Sequence, residues 1–309
     1  MAKATRAAFG ETLVELVEEG LDVMAVDADL AGSTTTAKLA AAHPDRMVDV
    51  GIAEQNMIGV AAGLALTGRT VFTGSFAVFG AGRCWEQIRN TVCVSNLNVK
   101  VCPTHAGITV GADGETHQAL EDIALMRTLP HMRVLVPADY ESAKAAIRLA
   151  AKVPGPFYIR LGREGLPEVY GDGLTLEGPE FARVLREGTD VTLAACGVEV
   201  AQALAAADIL AADGICAEVI DVMSVKPLAE DVIVPSAEKT GLVVTVEEHS
   251  IYGGMGSAVA ELLGEKLPVR VSRMGMTTFG QSAAASELLA HYGLDAAGIA
   301  KHVHEVYGK

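Results

Sequence analysis

An α/β fold in two domains, each a mostly parallel sheet flanked by helices, is what this sequence predicts. Three observations carry that expectation. Strand-like and helix-like hydrophobic patterns alternate along nearly the whole chain, the order that builds parallel sheets with helices on both faces. The alternation breaks once, between residues 162 and 188, where Pro167, Gly171, Gly173, Gly178 and Pro179 interrupt any period. Finally, half of the 309 residues are hydrophobic but only 5% are aromatic, so the core is to be built from small side chains that pack helices closely on sheets.

The elements follow in order. Apolar residues at helical spacing over 8–19 predict a helix, and 21–26 a short buried strand. A strand over 47–50 leads into a helix over 52–67 that ends near Gly68. Strand character returns over 69–72, helical character over 85–93, and a strand over 99–102 runs into a glycine-rich loop, 106–114. A helix over 118–129, a strand over 134–136, a helix over 140–151 and a strand over 157–161 complete the first unit.

The second unit repeats the grammar. It has strands over 191–196, 217–222, 242–247 and 269–274, a helix over 198–213, and a last helix near the C-terminus. A Gly253-Gly254-Met255-Gly256 turn opens another helix. The bounds expected are therefore 1–170 for the first domain, 171–188 for a connection and 189–309 for the second domain.

Composition excludes several classes. The formal net charge is −15 and no Lys/Arg run occurs, which argues against a nucleic-acid surface or an anionic-membrane surface. The longest apolar stretch, over 58–66, is too short and too rich in glycine to span a bilayer. The N-terminal residues do not resemble a signal peptide. Five scattered cysteines without a Cys-X-X-Cys pair read as reduced thiols. A cytoplasmic protein is expected.

Three strings carry chemistry. The first is Asp49-Val-Gly-Ile-Ala-Glu-Gln-Asn-Met57, a strand end that enters a helix. Ligands of open parallel sheets sit beyond the carboxyl ends of strands, so Glu54 is placed to face one. The alternative is a solvated glutamate that steadies the first turn of its helix. The second is Gly74-Ser-Phe-Ala-Val-Phe79, whose Phe76 and Phe79 share one face of a helical turn, as core residues also would. The third is Thr104-His-Ala-Gly-Ile-Thr-Val-Gly-Ala-Asp-Gly-Glu-Thr-His-Gln118. Its glycines allow close approach of backbone to a ligand, and His105, Asp113 and His117 supply donors and an acceptor. The two histidines lack the compact spacing of a zinc motif, so no metal site is expected there.

In this order the strings resemble the thiamine-diphosphate enzymes of the transketolase family, over nearly the whole chain. The resemblance implies a pyrimidine-binding domain followed by the family's C-terminal domain. It implies that Glu54 is catalytic, hydrogen-bonding the ring nitrogen of the cofactor's aminopyrimidine and favouring the imino form that deprotonates the thiazolium carbon. Phe76 and Phe79 match the aromatic residues against that ring, and Asp29 matches an acidic residue facing the cofactor. Arg6, Ser33, His105 and Arg163 match residues that hold a sugar phosphate. Asp113 matches the contact to a substrate hydroxyl, and His117 a catalytic donor beside the reacting carbonyl oxygens.

One departure is as informative as the matches. The family's diphosphate and its divalent ion, usually Mg2+, are held by a Gly-Asp-Gly unit followed by an asparagine. Here Gly171-Asp172-Gly173 lies in the connection, and no asparagine follows it; turn chemistry accounts for it. The resemblance therefore implies a separate N-terminal subunit that binds the diphosphate and the metal. It also implies a heterotetramer with a second copy of this chain, acting on sugar phosphates in pentose phosphate metabolism. The 253–256 turn is a weak match to a dinucleotide fingerprint, and no catalysis is expected there. The same strings also resemble deoxyxylulose-phosphate synthase, and the second domain resembles the beta chain of 2-oxoacid dehydrogenases. A paralogue that binds a partner without catalysis is the remaining alternative.

Overall fold

The computed structural model describes residues 2–308, so the terminal residues 1 and 309 of the expected domain bounds lie outside it. The first sheet has seven strands, in the order Ser224–Lys226, Arg133–Leu135, Phe157–Ile159, Val99–Val101, Thr70–Gly74, Val23–Asp27, Met47–Asp49. Every pairing in it is parallel except that of Ser224–Lys226 with Arg133–Leu135. The second sheet orders Arg270–Met276, Leu242–Ser250, Val191–Ala195, Ala217–Asp221 and Arg183–Arg186. Only its last pairing is antiparallel.

Strands buried on both faces are near-continuous apolar runs, and the two faces take alternate residues. Val23 and Ala25 join a cluster with Phe9, Leu13, Leu16 and Ile147, from the helices Thr5–Glu18 and Tyr140–Lys152. Val26 joins another with Met57, Ile58 and Ala61 from the helix Glu54–Ala65. That second cluster does not stop at the domain boundary: Ala194, Val222 and Met255 belong to it as well. One core thus crosses both domains.

The structure departs from the sequence expectations at the junctions. Arg183–Arg186 lies inside the expected connection, yet it is an edge strand of the second sheet. Ser224–Lys226, unassigned from sequence, crosses over to close the first sheet. The expected helix over 118–129 is regular only over Asp122–Arg127. The residues before it instead pair with other segments, Ala119 with Ala106 and the Leu120 carbonyl with the Ser250 N–H. Gly173, at φ 85°, lies in a turn. Among the described residues no helix is long and apolar enough to cross a membrane.

Candidate functional site

The carboxyl ends of the first sheet's strands carry the residues singled out above. Asp27 ends the strand Val23–Asp27 and builds the rim beside it. Its Oδ1 accepts the Leu30 N–H at 2.7 Å, and its Oδ2 accepts the hydroxyls of Thr34 and Thr36 at 2.7 and 2.9 Å. A Cβ at Gly74 on the adjacent strand would lie 2.6 Å from that Oδ2, which is why glycine stands there. The turn leaves Asp29 exposed at φ 63°, its N–H donating to Asp49 Oδ1 at 3.2 Å.

Glu54 is the first residue of the helix Glu54–Ala65, and it is 4% exposed. It is therefore not the solvated first-turn glutamate of the alternative reading. Arg83 Nη1 donates to both of its carboxylate oxygens, at 3.0 and 2.9 Å. Arg83 ends a wide helical turn, Val78–Arg83, in which the hydrogen-bond spacing is one residue longer than in an α-helix. The guanidinium lies 4.7 Å from the centre of the Phe79 ring, a cation–π distance.

From Phe79 a run of aromatic contacts leads through Phe76 to His105. Phe76 and Phe79 are both partly exposed, with ring planes 12° apart and centroids separated by 6.3 Å. His105 stacks on Phe76 at 3.9 Å, and His117 meets Phe79 edge-on at 5.5 Å. Burial first, and then the positive charges of Arg6 and Arg163 with His117, push the His105 imidazole down to about 3. Its Nδ1 shares a hydrogen bond with Thr104 Oγ1 at 2.8 Å.

Arg6 and Arg163 meet although 157 residues separate them in sequence. A two-residue ladder, Lys3–Ala4 against Gly165–Leu166, brings the segments together. Arg6 Nε then donates to the Arg163 carbonyl at 3.2 Å, and its Nη1 donates to the Ser33 carbonyl at 2.8 Å. Arg163 Nη1 donates to the Val110 carbonyl at 2.9 Å and lies 3.4 Å from Asp113 Oδ2. Arg6, Ser33, Asp113 and Arg163 are thus one cluster, linked electrostatically through His105 to the aromatic pair. Asp29 is exposed on the rim, its backbone held by Asp49.

The second domain reaches this site, which the sequence did not suggest. Glu248 Oε2 accepts both the N–H and the hydroxyl of Thr109, at 3.0 and 2.8 Å. Gly107 permits that approach: a Cβ there would fall 2.2 Å from the Glu248 carboxyl. Arg160 holds Glu248 at 3.2 Å and Asp122 at 2.8 Å, all three buried. Burial raises the Glu248 carboxyl above its ordinary range despite Arg160. Gln118 Nε2 donates to the carbonyls of Ile108, Gly111 and Gln281, closing the loop over 106–118 from within. Two signals for these residues were available. Arg83 follows Phe79 at i+4, one face of a turn, and Glu247-Glu248-His249 puts three polar residues in a buried strand.

The 253–256 turn is already filled. Glu247 accepts the N–H groups of Met255 and Gly256 at 2.7 and 2.9 Å, the donors a phosphate would otherwise take. Among the described residues no group of three or more His, Cys, Asp or Glu side chains converges as metal ligands would.

Two family models match the chain: "Transketolase, pyrimidine binding domain" over residues 1–168 and "Transketolase, C-terminal domain" over residues 181–299. A solved structure described as a split gene transketolase, an inactive beta4 tetramer, is 48% identical with a TM-score of 0.90, covering 99% of this chain and 98% of that one. The 6-deoxy-6-sulfo-D-fructose transketolase subunit SqwH of Clostridium sp. (strain MSTE9) is 42% identical, over 97% of this chain and 94% of its own length. An apulose-4-phosphate transketolase subunit of Phocaeicola vulgatus is 39% identical, over 99% of this chain and 98% of its own length.

Proposed function

This chain belongs to the transketolase family, and from that premise we propose that it is the C-terminal subunit of a two-chain transketolase. It would move a two-carbon ketol unit from a ketose phosphate to an aldose phosphate, active only with an N-terminal partner subunit. The observation that carries the reading is Glu54: a buried carboxylate at a strand–helix corner, paired with Arg83, whose guanidinium lies over the Phe79 ring.

The residues fit one end of thiamine diphosphate. A carboxylate that is 4% exposed and paired with a half-exposed arginine can accept a ring nitrogen in that arginine's stead. Phe76 and Phe79 offer the apolar face that keeps water from it. They do not fit the diphosphate, for which neither a Gly-Asp-Gly…Asn unit nor a cluster of metal ligands is at hand among the described residues. Diphosphate and Mg2+ are therefore assigned to the partner.

When bound, thiamine diphosphate supplies the carbon nucleophile that carries the two-carbon unit. Glu54 holds the proton at the aminopyrimidine ring nitrogen, inside a water-poor wall where such an interaction is strongest. His117 donates toward the reacting carbonyl oxygens, and Asp113 accepts from a substrate hydroxyl. Arg6, Ser33, His105 and Arg163 receive the phosphate. Guanidinium groups suit it because their donors are paired at fixed angles. A neutral His105 adds a donor without adding charge.

The two-chain arrangement agrees with the relatives named as subunits, each matched over nearly its full length. Two copies of each chain in the cytoplasm, serving pentose phosphate metabolism, complete the proposal. The test compares the purified chain with and without a diphosphate-binding subunit. Two-carbon transfer is expected only from the mixture; robust transfer by the chain alone would overturn the reading.

A further inference from the structure

Arg83 has no part in the proposed chemistry, yet it supplies the hydrogen bonds that Glu54 accepts. We infer that Arg83 is a placeholder for the cofactor ring: it neutralises Glu54 in the cofactor-free chain and yields at least one carboxylate oxygen when the ring arrives. The inference rests on the cofactor reading above, because the ring needs an oxygen that Arg83 now occupies.

Three features make the pair releasable. Both hydrogen bonds come from a single nitrogen, Nη1, rather than from the two-pronged fork that makes arginine–carboxylate pairs stiff. The partners are unequal in exposure: the Arg83 side chain is 49% exposed and that of Glu54 is 4% exposed. Water can therefore take over the arginine, whereas the buried carboxylate needs a partner at all times. Finally, the guanidinium lies over the Phe79 ring, the apolar face offered to the cofactor ring, so an arriving ring displaces it there, while Gln55 Nε2 anchors the Arg83 carbonyl at 3.2 Å. The backbone stays put while the side chain swings. Arg83 is thus a positioning residue that acts through Glu54.

The experiment has two arms. In the first, unfolding of the isolated full chain is measured for Arg83→Met, Glu54→Gln and the double variant; Met keeps an apolar stem against Phe79 but has no donors. Arg83→Met is expected to destabilise the chain when Glu54 is present and to have no such effect beside Glu54→Gln. Arg83→Lys is expected to restore most of the coupling. Zero coupling would overturn the pair. In the second arm, thiamine diphosphate with Mg2+ is titrated by calorimetry into the complex with the diphosphate-binding subunit. Arg83→Met is expected to bind on the order of tenfold more tightly, because no contact to a charged group has to be surrendered. Weaker binding would overturn the placeholder role while leaving the cofactor reading intact. No binding by the wild-type complex would sink both.

Discussion

Two helices of this chain start beside a buried glutamate at the carboxyl end of a parallel sheet, and they use it in opposite ways. In the second domain Glu247 turns onto the helix Met255–Lys266 and accepts its first two free N–H groups. A Cβ at Gly254 would lie 2.3 Å from that carboxylate, so the corner has no room for a ligand. In the first domain Glu54 turns away from its own helix and is met by Arg83, a side chain half exposed to water. Two helix starts thus give one satisfied corner, capped by a strand glutamate, and one whose own first-turn glutamate is held by a removable partner. Where a sheet ends only marks the candidate places; the partner of each buried polar group decides which one is open.

The largest expected effect breaks the comparison at its open end. In the reconstituted complex, Glu54→Gln is expected to cost about 3–5 kcal/mol of barrier lowering, the usual size of a preorganised electrostatic contribution. Cofactor affinity should weaken far less. Turnover at saturating cofactor is the measurement, and near wild-type values would give Glu54 another role. At the filled corner the loss should fall on stability instead. Glu247→Ala leaves two buried N–H groups without an acceptor, expected to cost about 2–4 kcal/mol in urea unfolding. Turnover of the folded complex should be unchanged, and a selective loss of turnover would place Glu247 in the site.

Of this contrast only the Glu54 corner was legible in sequence, for particular reasons. The strand over Val23–Asp27 and the corner at Glu54 announce themselves because a buried strand is a continuous apolar run that ends where polar residues begin. Phe76, Phe79, His105, Asp113 and His117 lie in local strings, and the structure brings the two phenylalanines against the two histidines and Asp113 against Arg163. What escaped is non-local. Arg183–Arg186 and Ser224–Lys226 are too short to show a period, and each becomes a strand only through its neighbour. Glu248 supports the loop over 106–118 from 139 residues away, a distance no sequence window spans. The helix expected to start at Gln118 starts at Asp122 because the backbone before it is committed elsewhere: Ala119 bridges to Ala106 and accepts the Gly107 N–H, and Leu120 accepts the Ser250 N–H.

A third expectation sharpens the comparison through substrate charge. Arg163→Ala should raise the Michaelis constant for phosphorylated sugars about 10- to 150-fold, corresponding to the roughly 1.5–3 kcal/mol of a hydrogen bond to a charged group. Unphosphorylated donors should be affected little. Because Arg163 Nη1 also ties down the Val110 carbonyl at 2.9 Å, the result discriminates between two roles. Equal losses on both substrate types would mean that the arginine serves the loop rather than the phosphate.

The smallest expectation reads the same rim through protons. His105 is buried on the Phe76 ring with Arg6 and Arg163 nearby, and its imidazole titrates at about 3 rather than 6.5. The folded chain therefore resists protonating it, whereas the unfolded chain takes up the proton as pH falls below 6.5. Its contribution to stability is whole above that pH and is lost progressively as pH falls from there toward the folded value. The slope is about 1.4 kcal/mol per pH unit for one such group. Other groups titrate over the same range, so the informative quantity is the difference between the wild type and His105→Asn. The variant loses the ring stack at every pH, but its stability should fall less steeply between pH values of about 6.5 and 5. Parallel curves for the two proteins in urea unfolding would mean that His105 takes its proton in the folded state, and that the arginine cluster does not act on it.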